Sequence, residues 1–142
     1  MNGVATSQCL KIGEVAKQFG LSVKTLRYYD ERGLLTPTVQ RSPSGYRLFH
    51  PTVFGRLGFI KRAQALGLSL EEIQEVLSIH DQGQLPCGMI KQYLLEKLTE
   101  IEKQIESLDI LKSELTGILS GWQEQPLIEK TEQTICPNIQ SP

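Results

Sequence analysis

The sequence predicts a mainly α-helical protein: a winged helix-turn-helix unit, a long coiled-coil dimerisation helix, and a short C-terminal loop. Three observations predict it. Two short helical patterns lie before residue 33 and are separated by a tight turn. A turn-rich hairpin segment follows them, and a stretch after Pro86 repeats apolar residues with a mean spacing of 3.5. We expect three parts, over residues 10–80, 81–120 and 121–142.

Charge is distributed unevenly along the 142 residues, although the net charge is only −1. Residues 1–69 hold ten Lys and Arg against three Asp and Glu, and residues 70–142 hold five against thirteen. A basic half joined to an acidic half indicates a polyanion-binding head and a tail with another task. The chain has no run of about 18 apolar residues and no signal-peptide pattern, so we expect a cytoplasmic protein without a membrane partner.

The first two helices follow from apolar spacing and from their end residues. The first helical pattern starts at Leu10 and ends at Gly20. Ser22 is a good N-cap for the second helix, which is expected to run to about Arg32 before Gly33 stops it. The outward positions of this second helix can contact phosphates and base edges, and they are Lys24, Thr25, Arg27 and Tyr28.

The segment over residues 34–49 predicts a small hairpin, or wing, after the helix-turn-helix. Two prolines and a glycine exclude a helix there, while residues 42–45 form a turn and 46–49 alternate as a short strand does. Tyr46 and Arg47 on the wing and Lys61 on the next helix are further candidate DNA contacts. A basic head that coincides with this motif favours double-stranded DNA as partner over a merely solvated surface.

Three more helices are expected. One spans about 52–66, and the next begins at Ser69, which forms a capping box with Glu72. The third runs from Cys87 to Leu119, about 50 Å at 1.5 Å per residue. Its apolar seam, here the α5 seam, is Ile90, Leu94, Leu98, Ile101, Ile105, Leu108, Leu111, Leu115 and Ile118. The few residues that follow cannot cover so long a seam, so we expect a homodimer.

The head closely resembles the MerR family of transcriptional regulators, and the resemblance extends over nearly the whole chain. The motifs that carry it are Thr25-Leu26-Arg27-Tyr28-Tyr29, Gly33-Leu34-Leu35 and Gly45-Tyr46-Arg47. The resemblance implies an antiparallel coiled coil in the dimer and binding to promoter DNA. It also implies that an effector makes the dimer distort the promoter spacer for RNA polymerase.

Two cysteines are candidate metal ligands. Cys87 follows Pro86 in the first turn of the long helix, where free amides and the helix dipole favour the thiolate. The family resemblance implies a metal ligand at this position, and it implies that Cys136, before a short helix in the 121–142 metal-binding loop, meets Cys87 of the partner subunit. Cys9 matches no ligand position, and His80 is a weaker candidate.

The chain departs from the family pattern because it has no cysteine between Cys87 and Cys136. Two thiolates suit a soft ion that accepts linear coordination, so mercury is the expected effector. Zinc, cadmium, lead and cobalt remain alternatives, and zinc needs further ligands from the protein or water.

Other functions are open at this point. The same fold could sense oxidants through a Cys87–Cys136 disulfide between subunits, or it could sense an organic ligand. The 22 residues after Ser120 are few for a ligand pocket. We expect no enzyme, because the sequence has no CxxC and no recognisable nucleophile or acid–base set.

Overall fold

The computed structural model of the protein describes residues 8–126 and 132–140, in two compact units that divide between Leu95 and Glu96. The elements in chain order are β1 (Leu10–Lys11), α1 (Ile12–Phe19), α2 (Val23–Glu31), a 3-10 turn (Thr36–Thr38), β2 (Val39–Arg41), β3 (Arg47–Phe49), α3 (Val53–Ala65), α4 (Leu70–Asp81), α5 (Cys87–Ser120) and α6 (Pro137–Gln140).

The turn between α1 and α2 forms as its residues predict. Gly20 ends α1 with φ of 80°, a left-handed conformation that glycine adopts without a side-chain clash. The hydroxyl of Ser22 accepts a hydrogen bond from the amide of Thr25 at 3.0 Å, which satisfies one of the free donors at the start of α2. The predicted helix-turn-helix is confirmed.

The wing is larger than the sequence predicts. β2 and β3 form the expected antiparallel hairpin, but β1 pairs with the other edge of β3, so the sheet order is β1-β3-β2. Leu10 lies opposite Phe49 in this register. The expectation that a helix starts at Leu10 is therefore wrong by two residues, because pairing with β3 holds Leu10 and Lys11 extended before α1 begins.

The core of the first unit joins both helical pairs and the sheet. Helices α2, α3 and α4 each bury one apolar face, with Val23 and Phe54 half-buried at its margin, and α4 has its predicted capping box between Ser69 and Glu72. The fully buried side chains are Val15, Leu26, Leu34, Leu35, Phe49, Val53, Leu57, Ile60, Ile73 and Val76. This core packs α2 and the wing into one compact unit.

Helix α5 starts at the predicted residue, Cys87, and ends at Ser120, one residue later than predicted. None of its residues is buried in the single chain, and seven of the nine α5-seam residues have exposed side chains. Within the part of the chain that the structure describes, no helix is long and apolar enough to cross a membrane. The predicted 121–142 loop is described except for residues 127–131 and 141–142, and it ends in α6.

Candidate nucleic-acid interface and thiol sites

Helix α2 has one buried face and one exposed face. Leu26 and Tyr29 pack into the core, and the hydroxyl of Tyr29 donates to Gln64 on α3 at 3.1 Å. On the opposite side, the side chains of Lys24 and Arg27 are exposed, as the sequence predicts for groups that contact DNA. Their contact with DNA stays a prediction, and the burial of Leu26 and Tyr29 explains why this face of α2 is left exposed.

Thr25 and Tyr28 are held by neighbours on the exposed side of α2. The hydroxyls of Thr25 and Ser22 lie 2.8 Å apart in a hydrogen bond. Arg32 donates to the hydroxyl of Tyr28 at 3.4 Å, and its guanidinium lies 5.7 Å from the centre of the Tyr28 ring. Glu71 of α4 binds the same guanidinium, which lowers the pKa of Glu71. The sequence alone did not indicate this chain of contacts.

The wing presents Tyr46 with its side chain 49% exposed. The amine of Lys11 on β1 lies 5.5 Å from the centre of the Tyr46 ring, and Arg41 on β2 donates to the carbonyl of Gly45 at 2.8 Å. Lys11 and Arg41 thus add positive charge beside a predicted DNA contact. The sequence indicates neither position, because the helical pattern predicted from Leu10 includes Lys11, and Arg41 precedes the turn.

Arg47 has a different environment from the other candidates. It donates to Asp30 at 2.6 Å, it lies 3.9 Å from Glu31, and its side chain is only 15% exposed. Arg47 therefore fastens the wing to α2, and its predicted contact with DNA remains untested. Lys61 on α3 is exposed, with its amine 6.0 Å from the centre of the Phe19 ring.

One basic residue of the head is not on the surface. The side chain of Arg56 on α3 is 7% exposed, and it binds both carboxylate oxygens of Asp81, at 2.7 and 2.9 Å, and the carbonyl of Leu34. These hydrogen bonds from Arg56 lower the pKa of Asp81. Residue type alone assigns an arginine to the surface, so nothing in the sequence indicates this partly buried ion pair.

Cys87 is the first residue of α5, and its thiol is free and exposed. The first turn-closing bond of the helix runs from the amide of Ile90 to the carbonyl of Pro86 at 3.0 Å. The amides of the first three residues, 87–89, thus precede the helical ladder, and helix-terminal amides favour an anionic sulfur. The predicted position of Cys87 is confirmed, and its role as a ligand is untested.

Cys136 lies in the second unit, directly before α6, with a free and half-buried thiol. Its amide donates to the side chain of Gln140 at 2.8 Å, and its carbonyl accepts from the amide of Ile139 at 3.2 Å. Cys9 is half-buried, and its sulfur accepts from Gln40 at 3.6 Å. Over residues 8–126 and 132–140, no group of three His, Cys, Asp or Glu side chains is arranged to hold a metal ion.

A helix with an exposed basic face, set on a helical core beside a basic three-stranded wing, defines the class of winged helix-turn-helix DNA-binding proteins. Two family models agree with the structure. The model for MerR HTH family regulatory proteins matches residues 10–79, and the model for the MerR DNA-binding region matches residues 54–118. The chain belongs to the MerR family of transcriptional regulators.

Characterised relatives are similar over most of their length. The mercuric resistance operon regulatory protein of Bacillus cereus is 37% identical over 131 residues, covering 92% of this chain and 95% of the relative. The transcriptional regulator CueR of Escherichia coli O157:H7 is 35% identical over 112 residues, covering 79% and 82%. Among solved structures, the regulator PbrR691 of Ralstonia metallidurans CH34 in complex with lead(II) matches with a TM-score of 0.70 and 29% identity. That match covers 83% of this chain and 91% of PbrR691.

Proposed function

We propose that this chain is a dimeric, cytoplasmic regulator that binds promoter DNA and switches transcription in response to a soft heavy-metal ion, mercury first. The DNA-binding unit, residues 10–80, places α2 in the major groove and the wing against the flanking backbone. The side chains assigned to DNA contact are Lys24, Thr25, Arg27, Tyr28, Tyr46, Arg47 and Lys61. Exposed positions on α2, the wing and α3 support this assignment for all but Thr25 and Arg47, which are half-buried.

The dimer forms through residues 81–120, with the α5 seams of two chains packed antiparallel. The exposure of this seam supports the proposal: Leu98 and Ile101 are 52% and 50% exposed in one chain. When a second helix covers apolar side chains that repeat every 3.5 residues, their burial lowers the free energy and stabilises the dimer. A dimer also presents two recognition helices to a two-fold symmetric operator.

The effector ion is held by Cys87 of one protomer and Cys136 of the partner subunit. The chemistry of this donor set supports mercury, because Hg²⁺ accepts two thiolates in a linear arrangement. Zinc, cadmium, lead or cobalt would need further oxygen or nitrogen ligands, since Cys87 and Cys136 are the only cysteines of the chain besides Cys9. The similarity to a mercuric resistance regulator and to a lead-bound regulator supports a metal as the effector class.

The response is a population shift between two arrangements of the dimer. A metal switches the protein only when it binds the activating arrangement more tightly than the repressing one. A site shared between residues 121–142 of one chain and the start of α5 of the other meets this condition, because closing it moves one chain against its partner. The activating arrangement distorts the promoter spacer and aligns its elements for RNA polymerase.

One observation carries the metal proposal: Cys87 is a free, exposed thiol at the first residue of α5. The test is transcription from the native promoter across a panel of Hg²⁺, Zn²⁺, Cd²⁺, Pb²⁺ and Co²⁺. Cys87→Ser and Cys136→Ser should each abolish induction while operator binding persists, and Cys9→Ser is the matched control that keeps induction. Induction that survives in both of the first two variants would refute the ligand assignment.

A redox sensor of the same fold uses the same two thiols, and one experiment separates it from the metal sensor. Oxidant treatment followed by non-reducing electrophoresis gives a covalent dimer if the thiols form a disulfide between subunits. Metal loading beforehand should instead protect both thiols from alkylation. An organic-ligand sensor predicts that neither cysteine variant changes the response.

A further inference from the structure

Two contacts hold the segment around Cys87, residues 81–93, against the rest of the first unit, one at each end of the segment. Six residues before Cys87, Asp81 ends α4 and binds Arg56 of α3. Six residues after it, Tyr93 donates a hydrogen bond to Glu75 of α4 and packs against the apolar core. The candidate effector thiol therefore lies midway along a segment whose two ends are held by the DNA-binding unit.

Arg56 connects this segment to the end of the recognition helix. Its Nη1 and Nη2 atoms donate to Asp81, and its Nε atom donates to the carbonyl of Leu34. Leu34 is 1% exposed and lies just after α2, where its amide donates to the carbonyl of Tyr29 at 3.0 Å. A single buried guanidinium thus joins the last residue of α4 to the turn that ends α2.

The stability of α4 alone does not explain an acidic residue at this position. A negative charge at the last residue of a helix is opposed by the helix dipole. Asp81 is compensated by its two hydrogen bonds to Arg56, and its side chain is 30% exposed while that of Arg56 is 7% exposed. The pair therefore serves a contact between elements and not the end of the helix.

We propose that Arg56 is a positioning residue that couples the segment around Cys87 to the recognition helix α2. The proposal rests on the metal response proposed above. A displacement of the end of α4 that follows effector binding moves Asp81, and the planar, bidentate pair moves the guanidinium with it. Because the same guanidinium binds the carbonyl of Leu34, the end of α2 moves in turn.

The exposed ion pair between Arg32 and Glu71 is a matched control for the pair between Arg56 and Asp81. Arg32 caps the end of α2, and Glu71 lies in the first turn of α4. This pair therefore also links the end of α2 to α4. It lies at the other end of α4 from the Cys87 segment, and the Glu71 side chain is 69% exposed. A Glu71→Gln substitution removes one charge from a link between the same helices and leaves the Asp81 contact intact.

The experiment uses the full-length dimer, with Hg²⁺ as the probe. Wild type, Asp81→Asn, Asp81→Glu and Glu71→Gln are compared by amide hydrogen exchange over residues 33–35 and by transcription from the promoter, each with and without Hg²⁺. In wild type and Glu71→Gln, Hg²⁺ should change the exchange rate at residues 33–35. In Asp81→Asn that change should be lost and induction should fall at least about fivefold, the lower end of typical coupling between sites.

The outcomes distinguish three cases: Arg56 couples the segment around Cys87 to α2, Arg56 only stabilises the fold, or the proposed mercury response does not exist. Asp81→Glu keeps the carboxylate and should recover part of the Hg²⁺-dependent change. If Asp81→Asn binds the operator more weakly by the same factor with and without Hg²⁺, and its induction is unchanged, Arg56 is only a clamp and the inference is overturned. If Hg²⁺ fails to induce transcription even in wild type, mercury is not the effector, and both the proposed mercury response and the inference that rests on it fail.

Discussion

Arg47 of the wing donates to Asp30 of the recognition helix at 2.6 Å, and the two side chains are only 15% and 16% exposed. A charge pair with so little access to water fixes the angle between two elements that are each predicted to contact DNA. Arg47 therefore fastens the wing to α2 within a single chain.

The first prediction concerns this pair. Asp30→Asn should lower the free energy of unfolding by about 1–3 kcal/mol, because a largely buried guanidinium then loses its charged acceptor. Urea denaturation followed by circular dichroism measures the change. Glu31→Gln is the control: Glu31 lies 3.9 Å from Arg47 and is 68% exposed, so its loss should cost less than about 1 kcal/mol. Equal effects of the two substitutions would contradict the structural role of Asp30.

The second prediction concerns the exposed face of α2. Arg27→Ala should weaken operator binding, and if Arg27 contacts a phosphate it should reduce the slope of log K against log salt by about 1. Fluorescence anisotropy over a salt series measures both quantities. Lys17→Ala removes the same charge from an exposed site on α1 and should leave the slope unchanged. A slope that falls equally in both variants would mean that the charge of the head, and not the docking of α2, determines affinity.

The third prediction concerns pH. Hydrogen bonds from Arg56 hold the pKa of Asp81 below its ordinary value of 3.8, so folding favours the charged carboxylate. The resulting stability is present above pH 3.8 and is lost as the pH falls through the lowered pKa of the folded state. Asp81→Asn should therefore be less stable than wild type by roughly 1–2 kcal/mol near neutral pH, allowing for partial exposure.

Urea denaturation of both proteins at several pH values tests this sign. The difference in unfolding free energy between wild type and Asp81→Asn should shrink steadily below pH 3.8. Other carboxylates titrate in both proteins, so they cancel in the difference. A difference that stays constant down to strongly acidic pH would show that charge on Asp81 contributes nothing to folding.

The fourth prediction concerns the α5 seam. Leu108 and Ile110 are almost equally exposed in one chain, at 64% and 63%, but only Leu108 belongs to the seam. Leu108→Lys should dissociate the dimer, because it buries an unpaired charge between helices. Ile110→Lys should leave the dimer intact. Sedimentation velocity distinguishes the two states, and dissociation by both variants, or by neither, would disprove the predicted seam.

Local signals account for most of the correct predictions of the fold. Three helix ends are marked by chemistry that acts within four residues: the capping box of Ser69 with Glu72, the glycine at Gly20, and Pro86 before Cys87. The structure has these ends where the sequence places them. The sequence predicts no strand at Leu10, because a strand of two residues has no periodicity and forms only by pairing with β3, nearly forty residues away.

The candidate site was predictable to a smaller extent, and again distance along the chain is the reason. The exposed position of Arg27 follows from the helical period alone. The burial of Arg56 depends on Asp81, 25 residues away, and on a carbonyl that carries no sequence signal. The sequence therefore indicates which residues could contact DNA, and the structure adds that Arg47 is already engaged by Asp30.

The uncovered row of leucine and isoleucine along α5 also has a consequence for the cell in which the chain is made. If α5 pairs as proposed, a newly synthesised copy displays that row until it meets another, and we expect its half-life against proteases to depend on how many copies are present. Any sister regulator with the same spacing on its own long helix could pair with it. The dimerisation helices would then determine which regulators form mixed dimers, whatever DNA sequence each DNA-binding unit recognises.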